Sequence, residues 1–283
     1  MTNDGWLAKH PYLQAVADLQ TLIDSAACEV AIPYACISIW EHYFGDFHVG
    51  VPLLMSSRIA IDFGPVERGM TSLVQRLSSK PLPVRLAEEN RVLENELCGN
   101  PDSPRCAVAW LIRKDSFTPT HPGLLRYLGW TILARYLFQL VVAFGRWREE
   151  ERWLRNYCPT CGAPPAMAQL VGMDSGSLRL LSCGCCKTRW RYPRTACPFC
   201  QNEDDHLLAV LAVDGESGLR IDYCKACCGY LKTYKGEGSE GVLLADWTSL
   251  HLDVIACDRG LRRLATSLYT LPNLESQTSA PTV

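Results

Sequence analysis

The chain has 283 residues, with 28 Lys and Arg against 30 Asp and Glu, and this near-neutrality removes the broad electrostatic pull on which nucleic-acid binders rely. Apolar residues make up 48% and charged residues 20%, a globular balance that argues against disorder outside the termini and, at this length, favours more than one domain. The opening "MTNDGWLAKHPYLQ" carries Asp4 and no apolar h-region, so no export signal is read, a reducing cytoplasmic compartment is expected, and the fifteen cysteines are not read as a disulfide framework.

Residues 1–155 read as an all-α domain. In "HPYLQAVADLQTLIDSAA", Leu13, Val16, Leu19, Leu22 and Ile23 recur at three- and four-residue intervals, and in "GPVERGMTSLVQRLSS" Val66, Met70, Leu73, Val74 and Leu77 do the same. "PVRLAEENRVLENELC" is a shorter, more charged helix. Breaks near 50–52, 81–83, 99–104 and 119–123 separate four to six packed helices. The most apolar stretch, Leu124 to Trp147, carries Arg126 and Arg135, and its longest uncharged run, Tyr136 to Gly145, cannot span a bilayer. It is read as a buried helix without membrane insertion. It leads through "RWREEERWLRNY", with no flexible linker, to a boundary near 150–157, so the helix is expected to run straight into the next module.

Beyond it the composition changes. Ten cysteines crowd between Cys158 and Cys228, and short runs such as "SLRLLS" and "GLRIDY" between glycine turns read as strands. "CPTCG" aligns with "CPFCQ", and "LVGMDSGSLRLLSCGCC" with "LAVDGESGLRIDYCKAC". The pattern is C-x2-C-x21-C-x2-C, ten residues, then C-x2-C-x23-C-x2-C. Each repeat is therefore expected to close its own site: Cys158, Cys161, Cys183 and Cys186 in a module at 156–194, and Cys197, Cys200, Cys224 and Cys227 in a module at 195–240. A Cys-x-x-Cys turn places two sulfurs at adjacent corners of a tetrahedron, and two such turns complete the four-thiolate shell that zinc, or a single iron of the rubredoxin kind, accepts. A segment of this size also needs such a staple to fold. The alignment leaves Cys185 and Cys228 spare. A C-terminal helical segment at 241–272 is read from Leu250, Val254, Leu261, Leu264 and Leu268, and 273–283 is a flexible tail.

A closed four-thiolate site has no position for substrate or for an activated water. No Ser-His-Asp signature, phosphate loop or dinucleotide fingerprint occurs, so no enzyme activity and no small-molecule substrate are expected. A redox reading of the Cys-x-x-Cys pairs would want a helix N-terminus in a βαβ setting, which is absent here. Cys28, Cys36, Cys98, Cys106 and Cys257 are read as unpaired buried thiols, and His42, His48, His121, His206 and His251 as solvated or core side chains. "KTRWRYPR", Lys187 to Arg194, taken alone looks like a backbone-binding patch for nucleic acid. From Cys158 to Lys235, however, nine basic residues face seven acidic ones, about +2 net, and Trp190 and Tyr192 are better read as packing or protein-docking groups.

The order "CPTCGAPP", "LRLLSCGCCKTRWRYPRTACPFC", "CKACCGYLKTY" and "DWTSLHLDVIACDRG" closely resembles the formate dehydrogenase accessory proteins, the FdhE-type family, clearly over residues 105–270. Matched positions are the eight cysteines, Gly162, Pro164, Thr188 to Trp190, Gly229 to Lys232 and Leu250 to Asp253. Cys185 and Cys228 are extra, and the chain is short at its N-terminus. The resemblance implies an α+β, multi-domain architecture: a helical domain, two tandem rubredoxin-like or zinc-ribbon modules, and a C-terminal helix. It further implies a cytoplasmic, non-catalytic maturation factor that contacts the catalytic subunit of a molybdenum or tungsten formate dehydrogenase. It favours iron over zinc in the two four-Cys sites, and a homo-oligomer is compatible with it. The alternatives are a rubredoxin-like electron carrier and a nucleic-acid-binding zinc ribbon.

Overall fold

The apolar stripes and prolines of the first half set its helices. In the computed structural model, which describes residues 1–37, 40–114, 117–172, 176–216 and 218–269, these are α1 (Asn3–Leu7), α2 (Gln14–Cys28), α3 (Phe44–Val49), α4 (Gly64–Leu77), α5 (Val84–Cys98), α6 (Ser103–Leu111) and α7 (Pro122–Trp147). Proline stands in the first turn of α4, α6 and α7, where the missing N–H leaves no bond unmade. Helix α4 is the hub and packs on α2, α5, α6 and α7 through Val66, Met70, Leu73, Val74 and Leu77, the predicted stripe. Gly129 of α7 permits a close crossing with α6, since a Cβ there would lie 2.3 Å from Leu111 Cδ1.

By length and composition α7 could cross a membrane, but half of its most apolar window is buried against the bundle, as expected of a core helix. It does not run straight into the next module. Arg148 is extended (φ −73°, ψ 143°), and a 3-10 turn at Glu150–Arg152 follows. The joint is held instead by Trp153, which stacks on Phe47 at a centroid distance of 5.4 Å and donates from Nε1 to Tyr157 O at 2.9 Å.

The second half forms one sheet of six strands: β1 (Pro165–Val171), β2 (Leu178–Cys183), β3 (Arg189–Arg191), β4 (Leu208–Ala212), β5 (Leu219–Cys224) and β6 (Tyr230–Lys235). Their spatial order is β3-β2-β1-β6-β5-β4. Each repeat contributes three antiparallel strands, and the repeats join by a parallel pairing of β1 with β6, Met167 opposite Lys232 through Leu170 opposite Lys235. The inner edge of one repeat thus meets the last strand of the other, head to tail.

The C-terminal segment is less helical than its spacing suggests. After α8 (Glu240–Leu243) comes α9 (Leu250–Asp258), which ends at Gly260 with φ 72°. Arg262 then pairs with the sheet: its N–H donates to Cys228 O at 2.7 Å, and its carbonyl accepts from Tyr230 N at 3.2 Å. Those backbone bonds replace the helical ones that Leu261, Leu264 and Leu268 had suggested. The expected tail at 273–283 lies outside the described residues.

Two cores result. The larger joins the helical bundle to the first repeat. The smaller joins the second repeat and α9 to Trp6, Leu13 and Ala17, so the N-terminal segment packs on the second repeat, where Trp6 Nε1 donates to Thr248 O at 3.1 Å.

Candidate metal centres

All four Cys-x-x-Cys turns are built alike. In each, the N–H of the first cysteine donates to the carbonyl five residues on: Cys158 to Ala163 at 2.8 Å, Cys183 to Thr188 at 2.9 Å, Cys197 to Asn202 at 2.8 Å and Cys224 to Gly229 at 3.0 Å. The residue four positions after that cysteine is left-handed each time, namely Gly162, Lys187, Gln201 and Cys228, with φ between 55° and 75°. This bond folds the loop over its own sulfurs. In the second repeat, Phe199 N donates to Cys197 Sγ at 3.5 Å and Gly229 N to Cys227 Sγ at 3.4 Å, as charge-bearing thiolates require.

The turns meet in pairs. Cys158, Cys161, Cys183 and Cys186 bring their sulfurs within 4.8 Å of one another, and Cys197, Cys200, Cys224 and Cys227 form a second such group. Sulfur separations are 3.5 Å for Cys158 to Cys186, 3.4 Å for Cys161 to Cys183, 3.8 Å for Cys197 to Cys227 and 3.7 Å for Cys200 to Cys224. A tetrahedral ion with bonds of about 2.3 Å sets its ligands about 3.8 Å apart, whereas a disulfide needs about 2.05 Å. Four thiols in this arrangement fit a metal ion and do not fit cystine. The grouping is within repeats, with no cross-brace.

The electrostatics agree. Burial pushes the Cys158 thiol up, and hydrogen bonding among the neighbouring thiols pushes Cys161 up. Cys186 is also pushed up by burial, but hydrogen bonds from Cys158, Cys161, Cys183 and Thr188 outweigh this and hold it down. Buried thiols raised in this way lose their protons more readily with a cation among them. Arg148, 8% exposed, lies nearby: burial lowers its pKa while Glu150, Cys158 and Cys186 draw it back up.

The two centres differ in exposure. All four sulfur-bearing residues of the first are buried, and the 3-10 turn at Leu53–Met55 lies across it, with Leu53 N donating to Pro159 O at 2.9 Å and Leu54 N to Thr160 O at 2.8 Å. In the second, Cys200 is exposed and Cys227 half-buried.

Cys185 is buried between the two ligand positions of its turn, where the other turns hold Thr160, Phe199 and Ala226. Cys228 is exposed at the left-handed position of its turn. The expectation that the remaining cysteines are buried is corrected: Cys28, Cys36 and Cys98 are exposed and Cys106 and Cys257 half-buried, because they lie off the apolar stripes or at helix ends. Among the histidines, His42, His48 and His206 are exposed and His121 half-buried. His251 packs beside Glu216 with His10, a residue that sequence spacing could not single out. The aromatic residues of "KTRWRYPR" are core: Trp190 donates to Arg155 O at 2.9 Å and Tyr192 OH to Cys197 O at 3.1 Å, so neither offers a face to a base.

The fold and its two sulfur clusters define a helical-bundle protein that carries tandem rubredoxin-like four-cysteine modules. Residues 157–194 match the family model "FdhE, central domain". The chain is 35% identical over 115 residues to a Protein FdhE homolog of Aquifex aeolicus, covering 40% of this chain and 41% of that one. It is 35% identical over 167 residues to a Protein FdhE homolog of Stutzerimonas stutzeri, covering 55% and 51%. The matches thus span about half the length of these curated relatives. The crystal structure of the FdhE protein from Pseudomonas aeruginosa shares the fold, with a TM-score of 0.60 over 93% of this chain and 90% of that one at 22% identity. The likeness to FdhE proteins is therefore one of sequence over the central cysteine-bearing region and of fold over most of the chain.

Proposed function

We propose that this protein is a cytoplasmic, non-catalytic accessory factor for a formate dehydrogenase containing molybdenum or tungsten, which binds the catalytic subunit and supports its assembly or activation. The observation that carries this reading is the pair of four-cysteine clusters in a chain whose residues 157–194 match the FdhE central-domain model. In our reading Cys158, Cys161, Cys183 and Cys186 hold one metal ion and Cys197, Cys200, Cys224 and Cys227 a second, with iron favoured and zinc the alternative. With four protein thiolates each, such ions supply architecture or one-electron chemistry and no open position for hydrolysis. The test is co-purification with the catalytic subunit, combined with deletion of the gene. Absence of any association, together with unchanged formate dehydrogenase activity in the deletion strain, overturns the proposal. Elemental analysis of protein purified without oxygen separates iron from zinc.

The exposure of Cys200 favours a second reading, a rubredoxin-like electron carrier, because an exposed thiolate shortens the path to a redox partner. Visible thiolate-to-iron absorption with reversible bleaching supports it, and a colourless zinc protein excludes it.

A further inference from the structure

His10, Glu216 and His251 come from three distant parts of the chain, the N-terminal segment, the turn between β4 and β5, and α9, yet they converge on one point. His10 Nε2 lies 2.6 Å and His251 Nε2 2.9 Å from the same oxygen, Glu216 Oε1. Their side chains are 9%, 15% and 9% exposed for His10, His251 and Glu216. His10 Nδ1 is 3.0 Å from Trp6 O, a carbonyl that can only accept, so Nδ1 donates there, while Nε2 hydrogen-bonds Glu216 Oε1 and would turn a lone pair to a metal only by giving up the proton between them. A ring nitrogen donated to a backbone carbonyl is the usual support of a metal-ligating histidine. His251 Nδ1 has no hydrogen-bond partner among the described residues although it is inaccessible to solvent, and its Nε2 faces the shared Glu216 oxygen. Three groups able to act as electron-pair donors thus meet at one point, where a metal ion would take the place of the proton between His10 Nε2 and Glu216 Oε1. A buried imidazole nitrogen without a partner is costly unless it is satisfied.

We infer that His10, Glu216 and His251 form a third metal site, a two-histidine, one-carboxylate site for a divalent ion of the zinc class, separate from the sulfur centres in position and chemistry. Nitrogen and carboxylate donors suit Zn(II) and its neighbours, whereas the four-thiolate clusters suit softer binding. Bonds of about 2.0–2.1 Å at tetrahedral angles require ligand separations of about 3.3–3.4 Å. The His10–Glu216 separation would therefore open by about 0.7–0.8 Å and the His251–Glu216 separation by about 0.4–0.5 Å on metal binding. Three protein ligands leave a position for water beside the exposed ring of Tyr12, which stands 5.8 Å from each imidazole. Such an ion would fasten the N-terminal segment to the second repeat and α9.

The test uses the full chain with both sulfur centres filled. Zn(II) titrated into it by calorimetry is expected to bind one further ion per chain, and Co(II) used in its place to give visible ligand-field bands without added thiolate charge transfer. His251→Ala and Glu216→Gln should each lose that ion while keeping the thiolate absorption of the sulfur centres. Equal metal content in the wild type and both variants, or no binding of Zn(II) to the filled wild-type chain, overturns the site and leaves an imidazolium–carboxylate clasp. If a variant also loses the sulfur centres, the wild-type titration alone decides. The outcome is independent of any association with formate dehydrogenase, so failure here and failure of the accessory role are distinguishable.

Discussion

Lys187 and Cys228 adopt the same left-handed conformation, at φ 62° and 55°, each four residues after the first cysteine of its turn. Two residues so unlike in chemistry share the position because the turn geometry demands it. Gly162 at the matching place in the first turn meets the demand without strain, while a residue with a Cβ is strained by roughly 1–2 kcal/mol. Cys228 is thus a turn residue, its side chain facing solvent.

Cys228→Gly and Cys228→Asn should therefore leave metal content unchanged and raise stability by about 0.5–1 kcal/mol, the relief of strain being partly offset for glycine by its freer unfolded chain. Elemental analysis and urea midpoints check both parts. A loss of metal would make Cys228 a ligand.

Chelator should remove the two ions in well-separated phases. The second centre, with Cys200 exposed, should account for the fast phase, and the first, buried under Leu53 and Leu54, for the slow one. Cys200→Ser should abolish the fast phase and spare the slow one, as followed by release into a metal indicator.

Lys232 is 1% exposed, and its Nζ lies 2.7 Å from Asp246 Oδ1 and 2.8 Å from Asp253 Oδ2, while Arg263 bonds the same two carboxylates at 2.6 and 2.7 Å. Asp253→Ala leaves two cations short of a partner in a buried site and should cost about 3–5 kcal/mol in denaturant unfolding. Lys232→Met, which removes a charge and retains volume, should cost less.

Burial pushes the Asp246 carboxyl up, but Lys232 and Arg263 outweigh it and hold the pKa well below the ordinary carboxylate value. A carboxyl depressed in the folded state contributes stability above its unfolded pKa of about 3.9 and loses it as pH falls toward the folded value. Unfolding free energy should thus owe nothing to this group's titration between neutrality and about pH 5, and fall below that. Asp246→Asn should flatten that acid limb.

Trp190→Ala should destabilise by about 3–5 kcal/mol, since a fully buried indole and its bond to Arg155 O are both lost. Thermal unfolding measures it.

The sulfur clusters were legible because a cysteine turn is a local structure: six consecutive residues fix its shape, and the duplicated spacing says which turns meet. The stripe of α4 was legible for the same reason, one face of one helix reading onto one core. Chain-distant pairings were not. Nothing in the residues of β1 states that its free edge pairs in parallel with β6, and the ring of His251 has company only because the turn at Glu216 and the segment at His10 are folded onto α9. Helices α7 and α9 stop at Trp147 and Asp258 because tertiary bonds override helical propensity there: Trp153 docks on Phe47, and Arg262 bonds to the backbone beside β6.

The parallel join of β1 to β6 also carries an order of events. Met167 faces Lys232, 65 residues later in the chain, and everything between them must be made first. During synthesis the first repeat can close its own strands and sulfur turns while the inner edge of β1, a mostly buried strand in the finished sheet, stays open. An open apolar edge invites the wrong strand. The nascent protein is thus most vulnerable to aggregation after its first repeat has emerged and before its second is complete.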